Sequence, residues 1–339
     1  MKYWKTYAIL ISILSCLLLL PSGCSKKPEE TTSKTIELQE IPESIKLELK
    51  YVQDDTESFK LNTLARRKVS LETTESQLAE NFQDGQSTDK IEIVFDRKIQ
   101  STDSNGNAIA QITIKQLKYF SEVKDNEVLN YDSSSSDDPN NAFDAMIGHS
   151  YTIEITPAGQ VTQIVDANDI RMAIKEKPSN FEIARSLLLD ESIKKRHTLA
   201  LPIAEENELK QSNTWSNIET FDFGLMGSQS YKRIYTLDSI EKNESNLIAT
   251  ASMDAIPSIE GIKDLSENEG ASVLEDMMDK QYTYEGQMEL DITNNSLIKY
   301  KEDLITQWLI VPPGSATENS LNAVKMVGER SYLIEKISQ

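Results

Sequence analysis

Two histidines, His149 and His197, and two cysteines, Cys16 and Cys24, are all that 339 residues offer toward nucleophilic or zinc chemistry. A three-histidine metal site cannot be assembled from two. His149 follows Gly148 in a turn and His197 closes a helical pattern, so both read as structural or surface groups. No serine sits in a Gly-x-Ser-x-Gly setting, and "GLMGSQS" (224–230) reads as a loop between strands, not as the strand–turn–helix elbow that a serine nucleophile needs. With 55 acidic residues, close carboxylates such as Glu275, Asp276 and Asp279 arise from composition alone and read as a solvated helix face before an acid–base pair. "YDSSSSDDPNN" holds Asp132, Asp137, Asp138 and Asn140, but it lacks the glycine-centred spacing of a calcium loop. It reads as a solvated loop. No phosphate-binding or dinucleotide motif occurs. The sequence thus assigns no catalytic residue, no metal ligand and no cofactor.

Cys24 is the residue whose surroundings point to a defined reaction. In "LLLLPSGCSKKPEE" (Leu17–Glu30) an apolar run ends at Pro21, the small residues Ser22 and Gly23 precede the cysteine, and charged residues follow. Lys2 and Lys5 open the chain. The apolar stretch from Ala8 to Leu20 is shorter than the ~20 residues of a membrane span, the pattern of a signal peptide over residues 1–23. The segment resembles the lipobox of bacterial lipoproteins, in which a peptidase cuts before a cysteine that has been diacylated on sulfur. The resemblance implies cleavage after Gly23 and lipid attachment at Cys24. It departs from the usual pattern at the third residue before the cysteine, where Pro21 stands in place of Leu and Leu20 lies one position further back. An ordinary secretory signal, or an uncleaved anchor with Cys24 incidental, is the alternative. If Cys24 carries lipid and Cys16 is removed, no thiol remains for a disulfide, a metal or a nucleophile. Each buried methylene contributes ~0.8 kcal/mol and stable anchoring takes two or more chains, which a triacylated cysteine supplies. Ser25 stands where an aspartate would resemble the inner-membrane retention signal. In a double-membrane bacterium the expected location is therefore the outer membrane, facing the periplasm.

Charge narrows the partners. The net charge of −20 becomes −22 once Lys2 and Lys5 leave with residues 1–23 and no acid does. Such a surface repels phosphate backbones and anionic lipid heads. Nucleic acid is excluded as a partner, and the expected contact with a membrane is the covalent lipid. Hydrophobic residues make up 38% of the chain, below the ~45–50% typical on a count that includes glycine. Low apolar content in a long chain fits sheets with one wet face.

Residues 24–43, polar and broken by two prolines, read as a disordered tether. Alternation then sets in: Ile45, Leu47, Leu49 and Tyr51 fall on every second position and predict a strand. "DKIEIVFDRKI" and "AIAQITIKQLKYF" alternate on either side of Asn105-Gly106, a strong hairpin signal. "YTIEITPAGQVTQIV" predicts another hairpin. Asp166 caps a short helix that Pro178 ends. "SNFEIARSLLLDESIKKRH" predicts one helix over 179–197, with Phe181, Ala184, Leu187 and Leu188 on one stripe and a basic last turn that suits the helix dipole. Strands resume after Pro202, interrupted by a short acidic helix in "SENEGASVLEDMMDKQ", and a hairpin about Asn294-Asn295 precedes the last strand. The hairpins at Ile153 and Leu290 align, Ile155 with Ile292 and Thr156 with Thr293. One arrangement that fits is two related halves, 44–178 and 203–339, joined by the helix; chance likeness between hairpins is the other.

"AMIGHSYTIEITPAGQVTQIVDANDI", the helix, the "LALPIAEE" link and the "YEGQMELDITNNSLIKY" hairpin resemble a family of uncharacterised exported bacterial proteins, many of them lipoproteins, over about residues 45–337. The domain is also distantly similar to the half-barrels of lipoprotein carriers. What these resemblances imply is a mainly β, α+β fold: a curved antiparallel sheet or half-barrel with helices on the concave face. The expected function is a non-catalytic binding or carrier module for an apolar ligand or protein partner, with Phe181, Ala184, Leu187 and Leu188 as ligand-binding candidates. The alternatives are a structural or interaction lipoprotein with no small ligand and a hydrolase with an unrecognised carboxylate site.

Overall fold

Alternating apolar residues build long strands throughout the chain. In the computed structural model, residues 41–72, 84–202, 208–224, 227–243, 245–259, 278–311, 316–317, 320–321 and 323–338 are described. The expected signal peptide, its Gly23–Cys24 junction, the tether as far as residue 40 and most of the expected acidic helix lie outside the described residues. The first half supplies β1 (Thr56–Glu72), β2 (Gly85–Thr102), β3 (Ala108–Val123), β4 (Asn126–Asp132), β5 (Ser150–Ile155) and β6 (Val161–Asp166). Three helices follow, α1 (Asn168–Ile174), α2 (Phe181–Leu187) and α3 (Asp190–His197). The second half supplies β7 (Thr214–Asp222), β8 (Ser228–Asn243), β9 (Asn246–Ser258), β10 (Met278–Asp291), β11 (Ser296–Ile310), the two-residue pieces β12 (Ala316–Thr317) and β13 (Ser320–Leu321), and β14 (Ala323–Ile337).

Twelve strands form one antiparallel sheet in the order β6-β5-β3-β2-β1-β14-β11-β10-β9-β8-β7, with β4 also paired to β3. The sheet is open, ending at β6 on one side and β7 on the other. Irregularities in register at Val94/Phe95, Leu237/Ser239 and Glu289/Leu290 bend the strands, as bulges do, and the sheet curves. Helices cover its concave face, which carries the core: Phe59, Leu61, Ile93, Phe95, Ile112 and Tyr300 are buried.

From the centre outward the first half runs β1, β2, β3, β5, β6 in chain order, whereas the second half begins at the far edge with β7 and returns to the centre at β14. Of the two aligned hairpins, β5–β6 forms an edge and β10–β11 lies inside the sheet.

Two expected elements differ. Residues 45–51 bury alternate side chains as expected, but they pair with no strand ladder. They form an extended strap tied to three separate segments: Ile45 and Leu209 exchange two backbone bonds of 2.8 Å, Leu49 N donates to Pro157 O at 2.7 Å and Lys50 N to Asn295 O at 2.9 Å. The single helix over 179–197 is two helices, broken where Leu189 turns extended (φ −64°, ψ 146°). Arginines take the carbonyl groups freed at the break. Arg171 donates to Leu188 O from Nε at 3.1 Å and from Nη2 at 2.7 Å, and Arg196 Nη2 donates to Leu187 O at 2.7 Å. Those bonds replace the intrahelical partners that an interrupted helix loses. Asp166 acts one residue before the helix cap, accepting from Asn168 N at 2.8 Å.

Candidate ligand-binding site

The site lies between α3 and the concave face of the sheet. Alternation gives the inward side of each strand, and α3 turns Ile193 and His197 toward them; both are buried. The ring of His197 meets Phe95 edge-on at 5.0 Å, and its Nε2 lies 2.6 Å from the Tyr151 hydroxyl. Burial, with the charges of Arg196 and Arg97 adding to it, holds the imidazole well below the ordinary histidine pKa, so it is neutral. The expectation that His197 serves the helix dipole as a cation is thereby corrected, because burial outweighs the dipole. Tyr332 donates to Arg196 O at 2.7 Å, Leu199 N to Gly159 O at 2.8 Å and Trp215 Nε1 to Ala200 O at 2.7 Å. The C-terminal end of α3 and the segment after it are thus fixed to strands from both halves.

Beside this anchored end a cavity of about 600 Å³ opens between α3 and strands β1, β14, β11, β10, β8 and β7. Its volume falls within the ~300–1,000 Å³ of small-molecule sites. Ile91, Phe221 and Leu304 give it apolar walls. Its floor is polar. Arg233 is buried, and its Nη1 donates to Glu302 Oε2 at 2.9 Å while Nη2 reaches Glu219 Oε2 at 3.4 Å and Nε donates to Asn217 Oδ1 at 2.9 Å. Tyr284 and Tyr300 donate to the same Glu302 oxygen at 2.6 and 3.1 Å, and the Tyr235 and Tyr300 hydroxyls lie 2.8 Å apart. Burial first, and Glu302 second, raises the Tyr284 and Tyr300 pKa values, so both hydroxyls stay protonated and serve as donors. Burial likewise pushes Tyr235 up to about 12. At the side, Lys195 pairs with Glu219 at 2.6 Å and sits 4.5 Å over the Phe221 ring. Arg330 lies 5.5 Å over that same ring.

The sequence-selected stripe is placed differently. Ala184 and Leu188 are buried, and Phe181 and Leu187 pack half-buried against the core, but none of the four lines this cavity. Phe181 and Leu188 border a separate outer cleft with Arg171 and Ile174. The turn at Asn141–Phe143 binds the segment before α2 through Ala142 N to Ser179 O at 2.9 Å. Past the helix break it is α3 that lines the cavity, through Glu191, Lys194 and Lys195. His149 is exposed and lies 3.1 Å from Asp169.

Sequence reading missed Glu219, Arg233, Tyr284, Tyr300, Glu302 and Arg330. One signal was present. Tyr231, Arg233 and Tyr235 share a strand face, so an arginine stands at an inward position between two aromatic residues. Among the described residues no group of three or more His, Cys, Asp or Glu could hold a metal, and no helix is long and apolar enough to cross a membrane.

Fold and site define a class: a large, open, curved antiparallel sheet whose concave face is covered by helices and holds a partly polar cavity. Within that class the chain belongs to a family of unknown function, DUF6263, which matches residues 105–297, more than half its length. The match takes in α3, Glu219, Arg233 and Tyr284 and leaves out β1, most of β11 and β14, and with them Glu302 and Arg330. Among solved structures, one titled "Lipid-protein interactions in lipovitellin" is similar with a TM-score of 0.46 at 9% identity, over 86% of this chain and 26% of that one. This chain thus spans about a quarter of that protein's length. No curated protein matches.

Proposed function

We propose that this protein is a membrane-tethered, non-catalytic binding or carrier module that holds a small apolar or amphipathic ligand between α3 and the sheet. The observation that carries this reading is the cavity of about 600 Å³ on the concave face, walled by Ile91, Phe221 and Leu304. A purely structural lipoprotein would be expected to fill that volume, since interiors pack closely. The hydrolase alternative finds four carboxylates at the cavity, Asp89, Glu191, Glu219 and Glu302; Arg233 engages Glu219 and Glu302, and the Tyr119 hydroxyl donates to Asp89 at 3.2 Å. Acids held in a shared ion-pair network have a structural task already.

Tethering rests on the sequence. Ser22-Gly23-Cys24 after a short apolar run supports lipid attachment at Cys24, export, and residence in the outer membrane facing the periplasm in a double-membrane bacterium. Native mass spectrometry of the full chain, released from membranes in mild detergent, tests the ligand. A co-purified lipid-sized mass is expected, and a bare protein mass at every collision energy would overturn the carrier reading. Metabolic labelling with a clickable fatty acid tests the anchor, where label that persists on Cys24→Ala would refute it.

A further inference from the structure

Arg330 is a cation of the cavity for which the described residues supply no carboxylate partner. Its neighbours across the two flanking ladders are Ala65 and Leu304, both apolar. One position earlier, on the same strand but the opposite face, Glu329 is paired with Arg66 at 2.8 Å. Among the described residues Arg330 has one hydrogen-bond acceptor, the Asp222 carbonyl oxygen at 2.7 Å from Nη2, and no carboxylate within ion-pair reach. Its guanidinium lies over Phe221 and Phe223 at 5.5 and 5.3 Å. Burial lowers its pKa from the ordinary arginine value, and Asp222 and Glu219 offset this only from a distance. A half-buried cation with spare donors, wedged between aromatic rings, gains most from a carboxylate or phosphate, to which a guanidinium can present two parallel N–H groups. Lys195 brings a second positive charge to the same phenyl ring.

The apolar walls continue from that point. Leu304 sits beside Arg330 across the β14–β11 ladder, and Ile91 on β2 carries the apolar surface onward beneath α3. The other arginine of the cavity, Arg233, is engaged by Glu302 and Glu219 and so is not available to a ligand. Charge at one place and apolar surface beyond it describe a molecule with an anionic head and a hydrocarbon tail.

We propose that the cavity selects an anionic amphiphile, with its carboxylate or phosphate head on Arg330 and its tail along Leu304 and Ile91. This assignment rests on the carrier reading and refines it. In a protein of net charge −20, bulk electrostatics disfavour an anionic ligand, so selectivity for one must come locally, from Arg330, since Lys195 is already paired with Glu219.

The test uses the full chain in liposomes of a zwitterionic lipid and three tail-matched photoreactive amphiphiles, each a twelve-carbon diazirine chain ending in a carboxylate, a phosphate or a neutral alcohol. Cross-linked peptides are mapped by mass spectrometry. Adducts on β1, β2 and β11 are expected from an acid probe at least tenfold above the alcohol, and Arg330→Gln should reduce acid labelling to the alcohol level while leaving the alcohol signal unchanged. Stronger labelling by the phosphate than the carboxylate would identify a phospholipid-type head, and the reverse a fatty acid; either satisfies the proposal. Should Arg330→Gln fail to fold, Arg330→Lys keeps the charge and should retain the preference for acid. Equal labelling by acid and alcohol, unchanged in Arg330→Gln, would overturn the anionic head and leave the carrier reading standing. Labelling of no cavity strand by any probe would overturn both. Complete competition by inorganic phosphate at the probe's own concentration would show an anion site without a tail, and would likewise overturn the proposal.

Discussion

Arg233 on β8 and Glu302 on β11 meet at 2.9 Å under a layer of tyrosines, with β9 and β10 lying between their strands. Their side chains bridge that width along the concave face. Removing one partner leaves the other charge buried without compensation, which costs about 3–5 kcal/mol. Arg233→Met is therefore expected to lower the unfolding free energy by that amount in urea titrations, and Arg233→Met/Glu302→Leu to lose less than Arg233→Met alone. A double variant at least as unstable as the single one would show that the ion pair itself, not the stranded charge, is what matters.

His197 sets a second expectation. Its folded pKa lies well below 6.5, because burial penalises the imidazolium. Below about pH 6.5 the unfolded chain binds a proton that the folded chain does not, so stability falls as pH drops, by up to about 1.4 kcal/mol per unit. The Glu57 carboxyl is held below its ordinary 4.5: burial opposes this, but Arg97 and Lys336 prevail, so its contribution is lost only at lower pH. Between pH 6.5 and 5 the decline should thus belong to His197. Melting temperatures of wild type and His197→Gln over that range check it, with His149→Gln as a control for the other histidine. A decline of equal slope in His197→Gln would refute the assignment.

Close packing within the sheet predicts a third effect. A Cβ at Gly286 would lie 2.6 Å from Lys301 O and 2.9 Å from Met253 Cε. The first of these is backbone of the paired strand and cannot swing aside. Gly286→Ala should destabilise by about 1–3 kcal/mol through overpacking. Gly159 has φ +74°, and a Cβ added there would lie 2.8 Å from Leu199 Cβ, so it combines a left-handed turn with the contact that seats the segment after α3. Gly159→Ala should therefore also loosen α3, read as faster amide exchange over residues 190–199.

The break between α2 and α3 yields a fourth. Leu188 is 2% exposed and the adjacent Leu189 49%. Leu188→Ala should cost about 2–5 kcal/mol and Leu189→Ala within about 0.5 kcal/mol, measured by chemical denaturation. Equal costs would mean that the corner is not formed as described.

Strand alternation made the sheet legible: Asn105-Gly106 announced the β2–β3 hairpin, and inward positions such as Ile93, Phe95 and Tyr300 follow period two. The helix break was not legible, because Leu187-Leu188-Leu189 suits a helix locally and the freed carbonyls are taken by Arg171, from α1, and by Arg196, from the far end of α3. The strap at 45–51 carries the same local pattern as a strand. What separates them is the absence of a partner ladder, a fact about distant residues. The cavity was the least legible part, since Glu219, Arg233, Glu302 and Arg330 come from four strands and no spacing between them is fixed by local structure.

The pairing of β1 with β14 joins the first strand of the sheet to the last along a ladder from Ser58 opposite Ile337 to Glu72 opposite Ala323. The seam at the centre of the sheet therefore cannot close until nearly the whole chain has emerged from the ribosome. Contacts so distant in sequence fold slowly, because loop closure must precede any reward from pairing. For the export proposed here this delay has a use: a chain whose central ladder forms last stays threadable through a translocation channel. Once released on the far side, it must be guarded against aggregation for as long as its open edges wait.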